Sequence, residues 1–172
     1  MKFFMLSLFG KDRPGIVARV SKVLYEMGLN LEESSMTRLR DEFTIMLIVS
    51  SCRDISSEEL LANLREVSQE LGLFLMCKEV EERECPRMGA LYRLVVFGSD
   101  KPGIVYAVSS KLASLGFNIS DLRTEKAGGL YVMVLQAEGR EEMEQVLREG
   151  LEEIKHSVGV DISLEREEEE RL

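Results

Sequence analysis

Residues 6–30, LSLFGKDRPGIVARVSKVLYEMGLN, return at 94–118 as LVVFGSDKPGIVYAVSSKLASLGFN. At this offset of 88, thirteen of the 25 positions are identical, including Phe9/Phe97, Gly10/Gly98, Asp12/Asp100, Pro14/Pro102, Gly15/Gly103, Ile16/Ile104 and Asn30/Asn118. The offset holds through Phe43/Tyr131 and Leu47/Leu135. It then becomes 87, pairing Leu60/Leu147, Leu64/Leu151 and Gly72/Gly159, so one residue is missing before the second helix of the second copy. The 172 residues are therefore a duplicated module of about 80 residues, within the size at which small domains fold.

Each copy reads β-α-β-β-α-β. Residues 2–9 are aromatic and β-prone and run into a Lys/Asp/Arg/Pro/Gly turn, as a strand does. From Pro14 the apolar residues fall at 16, 17, 20, 23, 24 and 27, a helical stripe expected to begin with Pro14 at its first position and to stop at Gly28. Residues 30–39 and 43–50 form a hairpin about Arg40-Asp41-Glu42. Ser56 and Ser57 before Glu58 and Glu59 open a second helix that ends at Gly72, and 73–81 is the last strand. The second copy places strands near 91–97, 118–126, 130–137 and 159–165, with helices near 102–115 and 140–156.

The order predicts an α+β chain of tandem ferredoxin-like modules, each an antiparallel sheet with both helices on one face. The domains are 1–82 and 91–166, with a charged linker at 83–90 and an acidic tail at 167–172. The uncovered sheet faces and edge strands lead us to expect pairing between modules and a homo-oligomer.

Charge narrows the function. With 22 Lys and Arg against 31 Asp and Glu, the chain carries −9, spread over the halves as −4 and −5. It lacks the basic footprint of a protein that grips phosphate backbones directly. No apolar run approaches the roughly 20 residues of a membrane span, and no signal-peptide cleavage site follows the apolar start. Cys52, Cys77 and Cys85 have neither disulfide-framework nor zinc spacing, which fits reduced thiols in the cytoplasm. No metal and no cofactor are expected. A single histidine, His156, placed at a helix end, leaves no catalytic constellation, and no phosphate-cradling glycine loop occurs, so an enzyme is not expected.

The loop and helix start of each copy are the candidate binding elements. A helix N-terminus offers unpaired N–H groups and about half a positive charge, which suits a carboxylate. Gly15 and Gly103, read as the second helical residues, would let a ligand approach those N–H groups, and Asp12 and Asp100 could hold an ammonium group. The same Asp-x-Pro-Gly residues also serve simply to begin a helix. Asn30 and Asn118 could read a polar ligand through their amides or merely cap a turn.

The pattern D-R-P-G-I-V…L-Y-E-M-G-L-N-L, with its echo D-K-P-G-I-V…L-A-S-L-G-F-N-I, resembles the ACT domain, a small regulatory module that binds amino acids. Two such modules with nothing else resemble the glycine cleavage system transcriptional repressor group. The resemblance implies side-by-side pairing of modules into eight-stranded sheets, with ligand sites at the junction. It assigns ligand contacts to Asp12, Pro14, Gly15, Ile16, Asn30 and Leu31, and to Asp100, Pro102, Gly103, Ile104, Asn118 and Ile119. The copies differ at Ala18/Tyr106 and at Glu32-Glu33/Ser120-Asp121, and a tyrosine at 106 would narrow one pocket.

The resulting expectation is a non-enzymatic regulator that binds a small amino acid and relays it to a protein partner, a transcription factor or a metabolic enzyme. The alternatives are a regulatory subunit docked on an amino-acid biosynthetic enzyme and a ligand-free dimerisation module.

Overall fold

A computed structural model describes residues 1–82 and 89–167. Cys85, most of the linker and all but the first residue of the acidic tail lie outside the described residues. The chain divides into two units, one per copy of the repeat.

The first unit comprises β1 (Lys2–Lys11), α1 (Ile16–Glu26), β2 (Asn30–Leu39), β3 (Glu42–Ser51), α2 (Ser57–Leu71) and β4 (Leu73–Val80). Its four strands pair antiparallel in the order β2-β3-β1-β4. The second repeats this with β5 (Ala90–Ser99), α3 (Ile104–Ser114), β6 (Asn118–Ala127), β7 (Leu130–Gly139), α4 (Glu144–Ile154) and β8 (Asp161–Glu167), in the order β6-β7-β5-β8. This is the ferredoxin-like α+β arrangement read from the repeat.

Alternation along the central strands decides which face the helices cover. Phe4, Leu6 and Leu8 of β1 are fully buried, as are Tyr92, Leu94 and Val96 of β5. Ile16, Val20 and Leu24 of α1 and Leu60, Leu64 and Val67 of α2 pack over them in the first unit, with matching residues of α3 and α4 in the second. The opposite faces carry no helix. In the first unit that face holds Phe9, Met46, Phe74 and Met76, each about half exposed or more, with the rings of Phe9 and Phe74 stacked 4.8 Å apart.

Two local readings need correction. Helix α1 starts at Ile16, not Pro14, because Gly15 sits at the N-cap with φ 89°, a left-handed conformation that cannot continue a helix; Gly103 does the same at φ 96°. The glycine is therefore required by the backbone turn and is not a helical residue. The second helix of the second copy is also not continuous. A 3₁₀ turn at Glu141–Met143 precedes α4, and a wide π-type turn at Lys155–Gly159 follows it. His156 lies in that turn, and its Nδ1 donates to the carbonyl of Glu152 at 2.7 Å.

Two outcomes follow from this packing. Leu60→Ala and Leu147→Ala, at equivalent fully buried positions, are each expected to cost about 2–5 kcal/mol in urea denaturation. Cys77 packs against the first core, and burial, aided by the charge of Glu58, raises its thiol to about 11. The reactive thiolate predominates only above that value, and near pH 8 roughly one thiol in a thousand is ionised. Peptide-mapped alkylation should mark exposed Cys52 and spare Cys77, with labelling of Cys77 rising about tenfold per pH unit as pH approaches 10.

Candidate functional site

The loops before α1 and α3 are built alike. The amide of Asp12 donates to the carbonyl of Asp41 at 2.8 Å, and that of Asp100 to Gly129 at 3.1 Å, so each loop is tied to the tip of its neighbouring hairpin. The chain then turns through Pro14-Gly15 or Pro102-Gly103 into the helix. A Cβ added at either glycine would meet nothing within 4 Å, so the space in front of both loops is open.

The helix starts themselves are distinctive. Helix α2 is capped by Ser56, whose side chain accepts from the amide of Glu59, and it carries Glu58 and Glu59 in its first turn. Helices α1 and α3 have no side-chain cap and no acidic residue in the first turn. Their first N–H groups are left facing the loop, where a carboxylate could accept from them.

Asp12 and Asp100 are not free carboxylates. Asp12 lies 3.5 Å from the guanidinium of Arg38, and Asp100 2.9 Å from the ammonium of Lys126. Arg38 and Lys126 occupy matching places near the ends of β2 and β6, and the cation crosses from the edge strand to the loop in both copies. A ligand's ammonium group would have to compete with these side chains. The repeat held a signal for this pairing, since a basic residue stands 26 positions after each aspartate.

The expected site residues fall into two groups. Lys11 pairs with Glu42 at one end of β3, whereas Asn30 pairs with Ser50 near the other. Eight residues of strand, roughly 27 Å, thus separate Asp12, Pro14 and Gly15 from Asn30 within one unit. In the second unit Ser99 pairs with Leu130 and Asn118 with Glu138, giving the same separation of Asp100, Pro102 and Gly103 from Asn118. A bulge follows the asparagine in each edge strand, between Leu31 and Glu33 and between Ile119 and Asp121. Asn30 and Asn118 are exposed, and neither amide is hydrogen-bonded to a described side chain or backbone group. Leu31 does share one space with Ile16: a narrow apolar cavity of about 70 Å³ between α1 and β2, also lined by Ser34 and Phe43.

The second loop opens onto a larger depression of about 590 Å³, lined by Asp100, Lys101, Gly103, Tyr106, Lys126 and Tyr131 among others. Tyr106 is 77% exposed and forms part of its wall without filling it. Among the described residues no three His, Cys, Asp or Glu side chains converge as a metal site requires. No described helix is long and apolar enough to cross a membrane.

Comparison with known proteins agrees with this architecture. The ACT domain model matches residues 2–78 and again 94–165. The glycine cleavage system transcriptional repressor of Escherichia coli is 28% identical over 140 residues, covering 77% of this chain and 73% of the repressor. UPF0237 protein MK1213 of Methanopyrus kandleri is 41% identical over 70 residues, 40% of this chain and 78% of that protein. The crystal structure of an unknown protein from Galdieria sulphuraria superposes with a TM-score of 0.83 at 29% identity, covering 97% of this chain and 99% of the other. The duplicated β-α-β-β-α-β unit, the Asp-x-Pro-Gly loops and the two family matches agree: this chain belongs to the ACT domain family, with two ACT domains in tandem and a resemblance to glycine cleavage system transcriptional repressors.

Proposed function

We propose that the protein is a non-enzymatic sensor that binds a small amino acid at the uncapped starts of α1 and α3. The observation that carries this reading is the contrast among the helices. Helix α2 caps one of its first N–H groups with Ser56 and complements its dipole with Glu58 and Glu59, and α4, though uncapped by a side chain, carries Glu144 in its first turn, whereas α1 and α3 have neither and leave their N–H groups to an outside acceptor. The loop in front of each is open, bounded by a paired carboxylate and cation. A zwitterion fits such a place, its carboxylate accepting from the helix start and its ammonium facing the aspartate.

The loop and the bulged asparagine strand lie at opposite ends of one unit, so a ligand the size of an amino acid held at the loop does not reach the asparagine of the same unit. Binding would favour one state of the protein over another, and a ligand shifts such an equilibrium only by its difference in affinity for the two states. The chain's net charge of −9 argues that the output passes to a protein partner, with any DNA contact made by that partner. Similarity to the Escherichia coli repressor supports a transcriptional output in amino-acid metabolism. The exposed apolar face of Phe9, Phe74, Met46 and Met76 favours a second reading, a subunit that docks on another protein, such as an amino-acid biosynthetic enzyme, or on its own copy.

A thermal-shift panel of the twenty amino acids tests the sensor. Ligand at 100 times its Kd adds about 2.7 kcal/mol, or roughly 5–10 °C in the midpoint for a chain of this size. Gly15→Ala and Gly103→Ala place a methyl in the open space before the helix starts and should diminish the shift. A panel in which no amino acid moves the midpoint contradicts the sensor reading. A shift that survives both substitutions places the ligand elsewhere.

A further inference from the structure

Resting on the amino-acid-sensor reading, we infer that the two modules are unequal, and that the second takes the ligand through a hydroxyl that the first lacks: Tyr131. The repeat aligns Tyr131 with Phe43, and both rings are buried, at 7% and 3% exposure. Around them the core positions are apolar in both copies, so the ring is accounted for by packing. The hydroxyl is not. It makes no hydrogen bond with any described residue, whereas the other buried tyrosine, Tyr92, sets its hydroxyl 3.3 Å from Glu144. No polar side-chain atom among the described residues is both sealed from solvent and unpartnered. The Tyr131 oxygen therefore keeps an opening, and Tyr131 lines the depression at the start of α3.

With its ring buried and its oxygen left an opening, the phenol can bond only water or a ligand there, so a ligand atom in that place takes up a ready-made hydrogen bond. Two further differences between the copies meet at the same place. Tyr106 replaces Ala18 on the rim, and Lys101 replaces Arg13 in the loop. The Lys101 ammonium reaches back to Gly159, where a Cβ would lie 3.2 Å from it, and it pairs with no described carboxylate. Lys126 is neutralised by Asp100, so Lys101 and the uncapped start of α3 supply positive potential at the depression that no described carboxylate pairs with. That chemistry suits a small amino acid with a polar side chain. Its carboxylate lies at the helix start beside Lys101, and an oxygen or nitrogen of the same molecule is bonded by the Tyr131 hydroxyl. In the first module Phe43 offers no such group, and the cavity beside it is apolar and only about 70 Å³, so the site at α1 is the weaker of the two.

Calorimetric titration of the full chain with each of the twenty amino acids, and with inorganic phosphate as an anion-only probe, tests this assignment. The expected result is two unequal sites per chain, the tighter of them weakened about 5–10 times in Tyr131→Phe. Tyr131→Phe installs the residue that the first module already uses, so it should fold; its unfolding midpoint checks this. Lys101→Ala, at an exposed position, gives an independent variant expected to weaken binding as well. Two equal sites, an unchanged affinity in Tyr131→Phe and Lys101→Ala, or phosphate binding as tightly as any amino acid would overturn the assignment while leaving the sensor reading in place. A chain that binds no amino acid overturns both.

Discussion

Each module depends on one antiparallel pairing, that of its first strand with its third. Phe4, Leu6 and Leu8 of β1 lie beside Val49, Leu47 and Ile45 of β3 on a single face, and that face is what both helices cover. Strand alternation leaves no choice about what lies opposite: Phe9 and Met46 must point away from the helices. The same pairing sets the ends of the module apart. The loop before α1 leaves one end of β1, α1 runs back along the sheet, and β2 begins at the other end. A site built from the loop and one built from the start of β2 are thus distinct places within one module. The duplication preserves this geometry and varies the side chains placed on it.

Much of the architecture was legible because duplication supplies a second reading of every element. A helical stripe at 16, 20 and 24 that returns at 104, 108 and 112 is hard to mistake, and the β-α-β-β-α-β order points to the ferredoxin-like arrangement. The helix start was misplaced by two residues. Proline commonly takes the first helical position, but the glycine after it adopts a left-handed φ that delays the helix to Ile16. The 3₁₀ and π turns around α4 left no periodic signal, since they are short and polar.

The candidate site was legible in part. Asp12, Gly15 and their twins stood out by recurrence, yet the cations that pair with the aspartates arrive from the ends of β2 and β6, a contact set by the hairpin's tertiary placement. Tyr131 appeared only as a conservative partner of Phe43. Its significance depends on which oxygen has a partner, which no spacing reveals. Tyr106 was singled out as the copy difference beside the second loop, and it is exposed and lines the depression there.

These observations describe one scaffold used twice, with different side chains placed on it. The shared features are an open loop, an uncapped helix start and a cation held by an aspartate. The differences collect around the start of α3. The most direct measurement of this account is an amide nuclear magnetic resonance titration of the full chain with the twenty amino acids in turn. The account predicts that the binding amino acid moves the amides of Ile104, Val105 and Tyr106 most. Saturation that shifts other amides while leaving the starts of both α1 and α3 unmoved would contradict it.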